Sequence, residues 1–96
     1  MMKRLSVKEA YRLMQSMEAY YIIDVREPYE YYMRHLPGSI NIPLATIDEK
    51  TMASYAFTTP LFVYCEKGTR SAIAANKLIL LGFIEVYDMG GIQDMF

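Results

Sequence analysis

Leu61-Phe62-Val63-Tyr64, followed directly by Cys65-Glu66-Lys67-Gly68-Thr69-Arg70-Ser71, is the stretch from which the fold can be read. The four apolar residues form a short run rich in β-branched and aromatic side chains, which predicts a buried strand. From about Ser71 the chain is rich in apolar residues and carries no Pro or Gly until Gly82, which predicts a helix. Cys65 therefore stands where a strand ends and a helix begins. In open parallel sheets the crevice beyond the carboxyl ends of the strands is where ligands bind.

The chemistry expected of such a loop starts from the thiol. The nucleophilic form of cysteine is the thiolate, and a free thiol with a pKa of about 8.5 is mostly protonated at neutral pH. A loop curled around the sulfur can aim successive backbone N–H groups at it, and the positive end of the following helix adds to that field. The helix terminus alone is worth roughly 0.3–1 kcal/mol, so loop amides and Arg70 are expected to supply the rest. Gly68 suits a tight anion-binding loop, where positive φ or an absent side chain is often required.

The heptapeptide Cys65-Glu66-Lys67-Gly68-Thr69-Arg70-Ser71 resembles the rhodanese pattern Cys-x-x-Gly-x-Arg followed by Ser or Thr. Asp24-Val25-Arg26-Glu27-Pro28-Tyr29-Glu30-Tyr31, His35-Leu36-Pro37-Gly38-Ser39-Ile40-Asn41-Ile42-Pro43, Gly82-Phe83 and Gly90-Gly91-Ile92 resemble the family's other signatures, in the same order. The resemblance spans nearly the whole chain and implies one rhodanese-like domain over residues 1–96. It implies a sulfurtransferase in which Cys65 takes a sulfane sulfur from a donor, holds it as a persulfide and passes it to a nucleophile. Two departures are visible: Arg34 stands before the histidine where a small residue is usual, and Met95-Phe96 stands where a tryptophan is common.

Composition bounds the alternatives. The chain has 96 residues, 53% of them hydrophobic and 22% charged, enough for one small domain with a core. A formal net charge of -1 gives no basis for binding nucleic acid or an acidic membrane. One cysteine excludes an internal disulfide and a multi-cysteine metal site; no cofactor or metal is expected. It also fits a reducing compartment. Glu9, Arg12, Gln15 and Glu18 interrupt any apolar core of a signal peptide, no run approaches a membrane span, and a cytoplasmic monomer is expected.

Along the chain, Ser6-Val7-Lys8-Glu9 has capping-box spacing and predicts a helix whose buried face is Val7, Ala10, Met14 and Met17. Tyr20-Tyr21-Ile22-Ile23-Asp24 predicts a second strand, and Pro28 suits the first turn of a short helix over Pro28 to Met33. Asp24 and Arg26 then fall at the strand's carboxyl end, either as a structural ion pair or as loop-orienting and anion-binding groups. His35, the only histidine, could form a Cys-His pair, but its Leu-Pro-Gly context reads as a turn into a strand over Ser39 to Ile42. Thr46 to Thr59 gives a weak helix signal followed by a loop. Tyr29, Tyr31, Tyr32 and Met33 read as packing residues, with an exposed surface for a donor protein as the other reading. Ala72 to Leu81 is apolar around most of a helix, Gly82 suits its C-terminal cap, and Ile84 to Tyr87 predicts the last strand before a Gly90-Gly91 turn.

Strand runs alternating with helical patterns predict an α/β domain, with a small mostly parallel sheet flanked by helices on both faces; the resemblance implies the rhodanese arrangement. Three functions compete. In the sulfurtransferase, Cys65 is the nucleophile, and Glu66, Lys67, Gly68, Thr69, Arg70 and Ser71 bind substrate and persulfide. The donor would be thiosulfate or a donor protein persulfide, and the acceptor a thiol or cyanide. Glu66 lowers the positive charge at the loop mouth and weighs against thiosulfate. A phosphatase or arsenate reductase of related fold needs five residues between Cys and Arg, whereas four separate Cys65 from Arg70. A non-catalytic binding module usually lacks the cysteine.

Overall fold

The computed structural model describes residues 1–93, so Met95 and Phe96 lie outside the described residues. Its elements are β1 (Met2–Arg4), α1 (Val7–Met14), β2 (Tyr21–Asp24), α2 (Pro28–Met33), β3 (Ser39–Asn41), a 3-10 turn (Leu44–Thr46), β4 (Leu61–Cys65), α3 (Thr69–Leu81) and β5 (Val86–Gly91). The strands form one sheet in the order β1-β5-β4-β2-β3, with every pairing parallel. This is an α/β fold.

Both faces of the sheet are covered, and the side-chain alternation along its central strands divides the core in two. Leu61, Val63 and Cys65 of β4 point with Ile23 and Val86 toward Ala74, Ala75 and Leu78 of α3. Phe62 and Tyr64 point the other way, with Ile22, Tyr87 and Met89, onto Val7, Ala10 and Met14 of α1. A strand buried on both faces needs no polar alternation, which is why Leu61–Cys65 reads as an unbroken apolar run. Phe62 stacks on Tyr87 with ring centroids 4.7 Å apart.

Helix α1 starts where its capping box predicts: Glu9 N donates to Ser6 Oγ at 3.0 Å and Ser6 N donates to Glu9 Oε1 at 2.8 Å. It ends at Met14, so Met17 packs against the core from beyond the helix. Helix α3 begins at Thr69, earlier than the apolar pattern implies, because Gly68 at φ +105° turns the chain straight into it. Gly82, at φ +116°, stops it as predicted. Its burial is one-sided, with Ile73 and Leu80 exposed on the far flank.

Other differences have local causes. Residues 47–59 contain only turns, into which Ile47 and Met52 drop as isolated core anchors. The last strand starts at Val86 and runs through Gly90 and Gly91, which are strand residues rather than a turn. Strand β1 exists because β5 offers it an edge; its three exposed residues carry no strand pattern of their own. No helix among the described residues is long and apolar enough to cross a membrane. The carboxyl ends of β2 and β4 lie side by side, with Asp24 opposite Tyr64, so Asp24, Arg26 and Cys65 share one edge of the sheet.

Candidate active site

Cys65 is the last residue of β4, and its Sγ takes the place of a helix N-cap side chain. The amide of Gly68 donates to it at 3.0 Å and that of Ser71 at 3.2 Å. Two N–H groups at the positive end of a thirteen-residue helix converge on one sulfur, an arrangement that stabilises negative charge there. The loop can close this tightly because Gly68 takes up the left-handed backbone that a side chain would disfavour. Ser71 Oγ donates to Gly68 O at 3.1 Å and ties the loop shut. Ser71 therefore contributes its amide to the sulfur and spends its hydroxyl on the loop.

The floor beneath the loop is backbone. The pairing of β4 with β5 slips between Val63 and Cys65, so that Cys65 sits opposite Gly91. Asp88 shapes the irregularity: its buried carboxylate accepts the Gly90 amide at 2.8 Å, and Gly90 sits at φ +73°. A Cβ on Gly91 would lie 2.6 Å from Glu66 O and 2.6 Å from the carbonyl carbon of Lys67. Ile92 N then donates to Cys65 O and Gln93 N to Glu66 O.

Around the sulfur lies a cleft of about 360 Å³ lined by Glu30, Cys65, Glu66, Lys67, Thr69 and Arg70. Cys65 itself is only 1% exposed and is reached from the floor of this cleft. Arg70 makes a two-pronged ion pair with Glu30, Nη1 to Oε1 at 2.7 Å and Nη2 to Oε2 at 3.0 Å. That hydrogen bonding holds the Glu30 carboxyl below its ordinary pKa and raises that of Arg70. Glu66 accepts from Arg26 Nη1 at 3.1 Å.

Arg26 is buried and engaged at every nitrogen. Nε and Nη2 bond to Asp24, Nη2 also reaches Arg34 O, and the guanidinium lies 5.7 Å from the Tyr64 ring centroid. Burial opposes its charge, but the hydrogen bonds to fully buried Asp24 outweigh that and raise its pKa. Asn41 Nδ2 completes the knot by donating to Asp24 O and Arg26 O. The group thus holds together the ends of β2 and α2 and the Cys65 loop.

Comparison with known proteins agrees with this geometry. The rhodanese-like domain family matches residues 6–95. The chain belongs to that family. The thiosulfate sulfurtransferase PspE of Escherichia coli is 35% identical over 74 residues, covering 76% of this chain and 71% of PspE. The thiosulfate sulfurtransferase GlpE of Pseudoalteromonas translucida is 34% identical over 89 residues, covering 93% and 83%. Among solved structures, a rhodanese-related protein from Thermoplasma volcanium superposes with a TM-score of 0.78 at 34% identity, covering 96% of this chain and 88% of that one.

Within this rhodanese-like site, the structure brings Cys65, Glu66, Lys67, Thr69 and Arg70 to one cleft and places Gly68 and Ser71 as the amide donors. Asp24 and Arg26 stand behind the loop as a buried pair. His35 is not paired with Cys65: its Nδ1 lies 2.8 Å from Tyr31 O and its ring stacks on Tyr31 at 3.8 Å. The reading of Tyr29, Tyr32 and Met33 as packing residues is corrected. Helix α2 buries none of its residues, and these three are 68%, 81% and 79% exposed, because the helix is held on its inner side through Glu30 and Tyr31 and at its C-cap through Arg34 O. Sequence reading assigned no site role to Glu30 or Gly91. The Gly-Gly pair was visible as a signal, whereas nothing local to Glu30 announces a partner 40 residues away.

Proposed function

We propose that this protein is a sulfurtransferase working through a persulfide on Cys65. The observation that carries the proposal is the pair of amides, from Gly68 and Ser71, aimed at a single sulfur at a helix N-terminus. In the first half-reaction the Cys65 thiolate attacks the outer sulfur of thiosulfate or of an organic persulfide. A bond forms from Sγ to that sulfur, the donor's S–S bond breaks, and sulfite or a thiolate leaves with the bonding pair. The outer sulfur of the resulting persulfide extends about 2 Å beyond Sγ, into the cleft. In the second half-reaction cyanide or a thiolate attacks this outer sulfur and Cys65 leaves as thiolate again. No outside oxidant or reductant is needed.

In this reading Gly68 and Ser71 hold charge on the nucleophile, which is also the leaving group of the second step. Lys67, Thr69 and Arg70 line the entrance used by donor and acceptor. Asp24 and Arg26 position the loop through Glu66 and do not touch substrate. Relatives named thiosulfate sulfurtransferases support the reading. So does the lone free cysteine, which also favours a reducing, cytoplasmic setting for a single-domain monomer.

The test is intact-protein mass spectrometry after incubation with thiosulfate or with 2-mercaptoethanol persulfide. The expected result is a gain of one sulfur atom, absent in Cys65→Ser and removed by a thiol reductant. Equal gain in Cys65→Ser, or none in the folded wild type from either donor, would sink the proposal.

A further inference from the structure

We propose that Glu30 determines donor specificity: its carboxylate occupies the anion-binding fork of Arg70 and selects against small dianionic donors such as thiosulfate, in favour of organic persulfides. The inference rests on the sulfurtransferase reading above and deepens it.

The argument begins with what Arg70 has left to offer. A guanidinium binds an oxyanion best through two parallel N–H groups, and Glu30 engages both terminal nitrogens of Arg70 at 2.7 and 3.0 Å. Glu30 does not swing aside freely. It sits in the first turn of α2, and its Oε1 also accepts the Glu27 amide at 2.9 Å. Its side chain is 16% exposed, against 34% for that of Arg70. A sulfonate reaching Arg70 must break a pinned ion pair and then remain beside the displaced carboxylate.

The rest of the cleft does not compensate. Its charged lining is Glu30 and Glu66 against Lys67 and Arg70, so the signs cancel and no field concentrates a dianion over Cys65. Arg26, the next cation inward, is held by Asp24 and Glu66. An organic persulfide makes a smaller demand. It presents one negative sulfur to the loop and an organic body to the rim, where Tyr29 and Met33 are exposed in a groove whose charged lining, Arg26 and Arg34 against Glu30 and Glu66, is also balanced.

The experiment measures kcat and KM with cyanide as acceptor, for thiosulfate and for 2-mercaptoethanol persulfide. It uses the wild type, Glu30→Gln, Arg70→Ala and the double variant. Glu30→Gln should lower the thiosulfate KM about tenfold, the scale of one charge-assisted hydrogen bond that the freed Arg70 fork makes to the donor. Persulfide kcat/KM should stay within about twofold, since that donor makes no contact with the fork. In the Arg70→Ala background the Glu30 substitution should no longer lower the thiosulfate KM, an outcome that a merely structural role for Glu30 would not produce. Glu30→Ala serves as a second variant, with the same expected gain for thiosulfate.

An unchanged or raised thiosulfate KM in both Glu30 variants would overturn the inference. So would equal gains for both donors, or the same gain without Arg70. If the wild type transfers sulfur from neither donor, the sulfurtransferase reading falls and takes this one with it. An active enzyme with an unaltered donor preference strikes the Glu30 inference alone.

Discussion

The Cys65 loop and helix α2 face each other across the cleft, yet they are held in opposite ways. The loop is fixed chiefly through its backbone, by the amides of Gly68 and Ser71 on Sγ, the Ser71 hydroxyl on Gly68 O and Gly91 pressed beneath it, with Arg26 on Glu66 as its one ion pair. Helix α2 buries no residue and is attached by side chains, with Glu30 on Arg70 and the Tyr31 hydroxyl on Ser39 O at 2.7 Å. Backbone donors keep their positions through a reaction, which suits groups that stabilise charge on a nucleophile. Side-chain pairs can exchange partners, which suits a rim that chooses among donors. On the proposed reading, the difference divides reactivity, carried by the loop, from selectivity, carried by the helix.

The sharpest way to break that division is at the sulfur. Cys65→Ser should abolish transfer while leaving the far-ultraviolet circular dichroism unchanged; turnover within tenfold of wild type would remove Cys65 from the chemistry. Gly91→Ala comes next. A methyl group driven against the Glu66 and Lys67 backbone should destabilise the fold by about 1–3 kcal/mol, measured by urea titration. It should also lower kcat/KM by about 10²-fold through misplacement of the amides. Normal activity in a folded Gly91→Ala protein would show that the loop tolerates a shifted floor.

Two smaller effects probe the helix. Because Arg70 holds the Glu30 carboxyl below its ordinary value of 4.5, the pair adds stability that is fully present above that pH. This contribution is lost as pH falls through the lowered folded-state value. The gap in thermal midpoint between wild type and Glu30→Gln should therefore be open at neutral pH and close in acid. A gap independent of pH would mean that Glu30 contributes by packing. Smallest of all, Tyr32→Ser, at a side chain 81% exposed, should change stability by no more than about 0.5 kcal/mol. A larger loss would mean that Tyr32 itself helps to anchor α2.

The same contrast explains what could be read in advance. The strand, the cysteine and the helix lie consecutively, so periodicity and one glycine are enough to place Cys65 at the carboxyl edge of a parallel sheet. The Ser6-to-Glu9 box and the Gly82 cap are likewise local, and both appear where expected. Strand β1 was illegible because an edge strand of three exposed residues is defined by its partner. The Glu30–Arg70 pair was illegible because sequence carries no signal for a contact made by folding two distant helices to one rim. The exposure of Tyr29, Tyr32 and Met33 was misread because aromatic composition argues for burial until geometry supplies nothing to bury against.

The glycine floor has an implication for protein engineering. A heptapeptide loop copied onto another strand–helix junction would lack the side-chain-free socket that Gly91 provides beneath the Glu66 and Lys67 backbone. Within this scaffold, by contrast, the outward side chains of the loop do not meet that socket. Lys67 and Thr69 are the loop side chains that could be rewritten for new acceptors, while Glu66, tied to Arg26, and the β5 glycines are left in place.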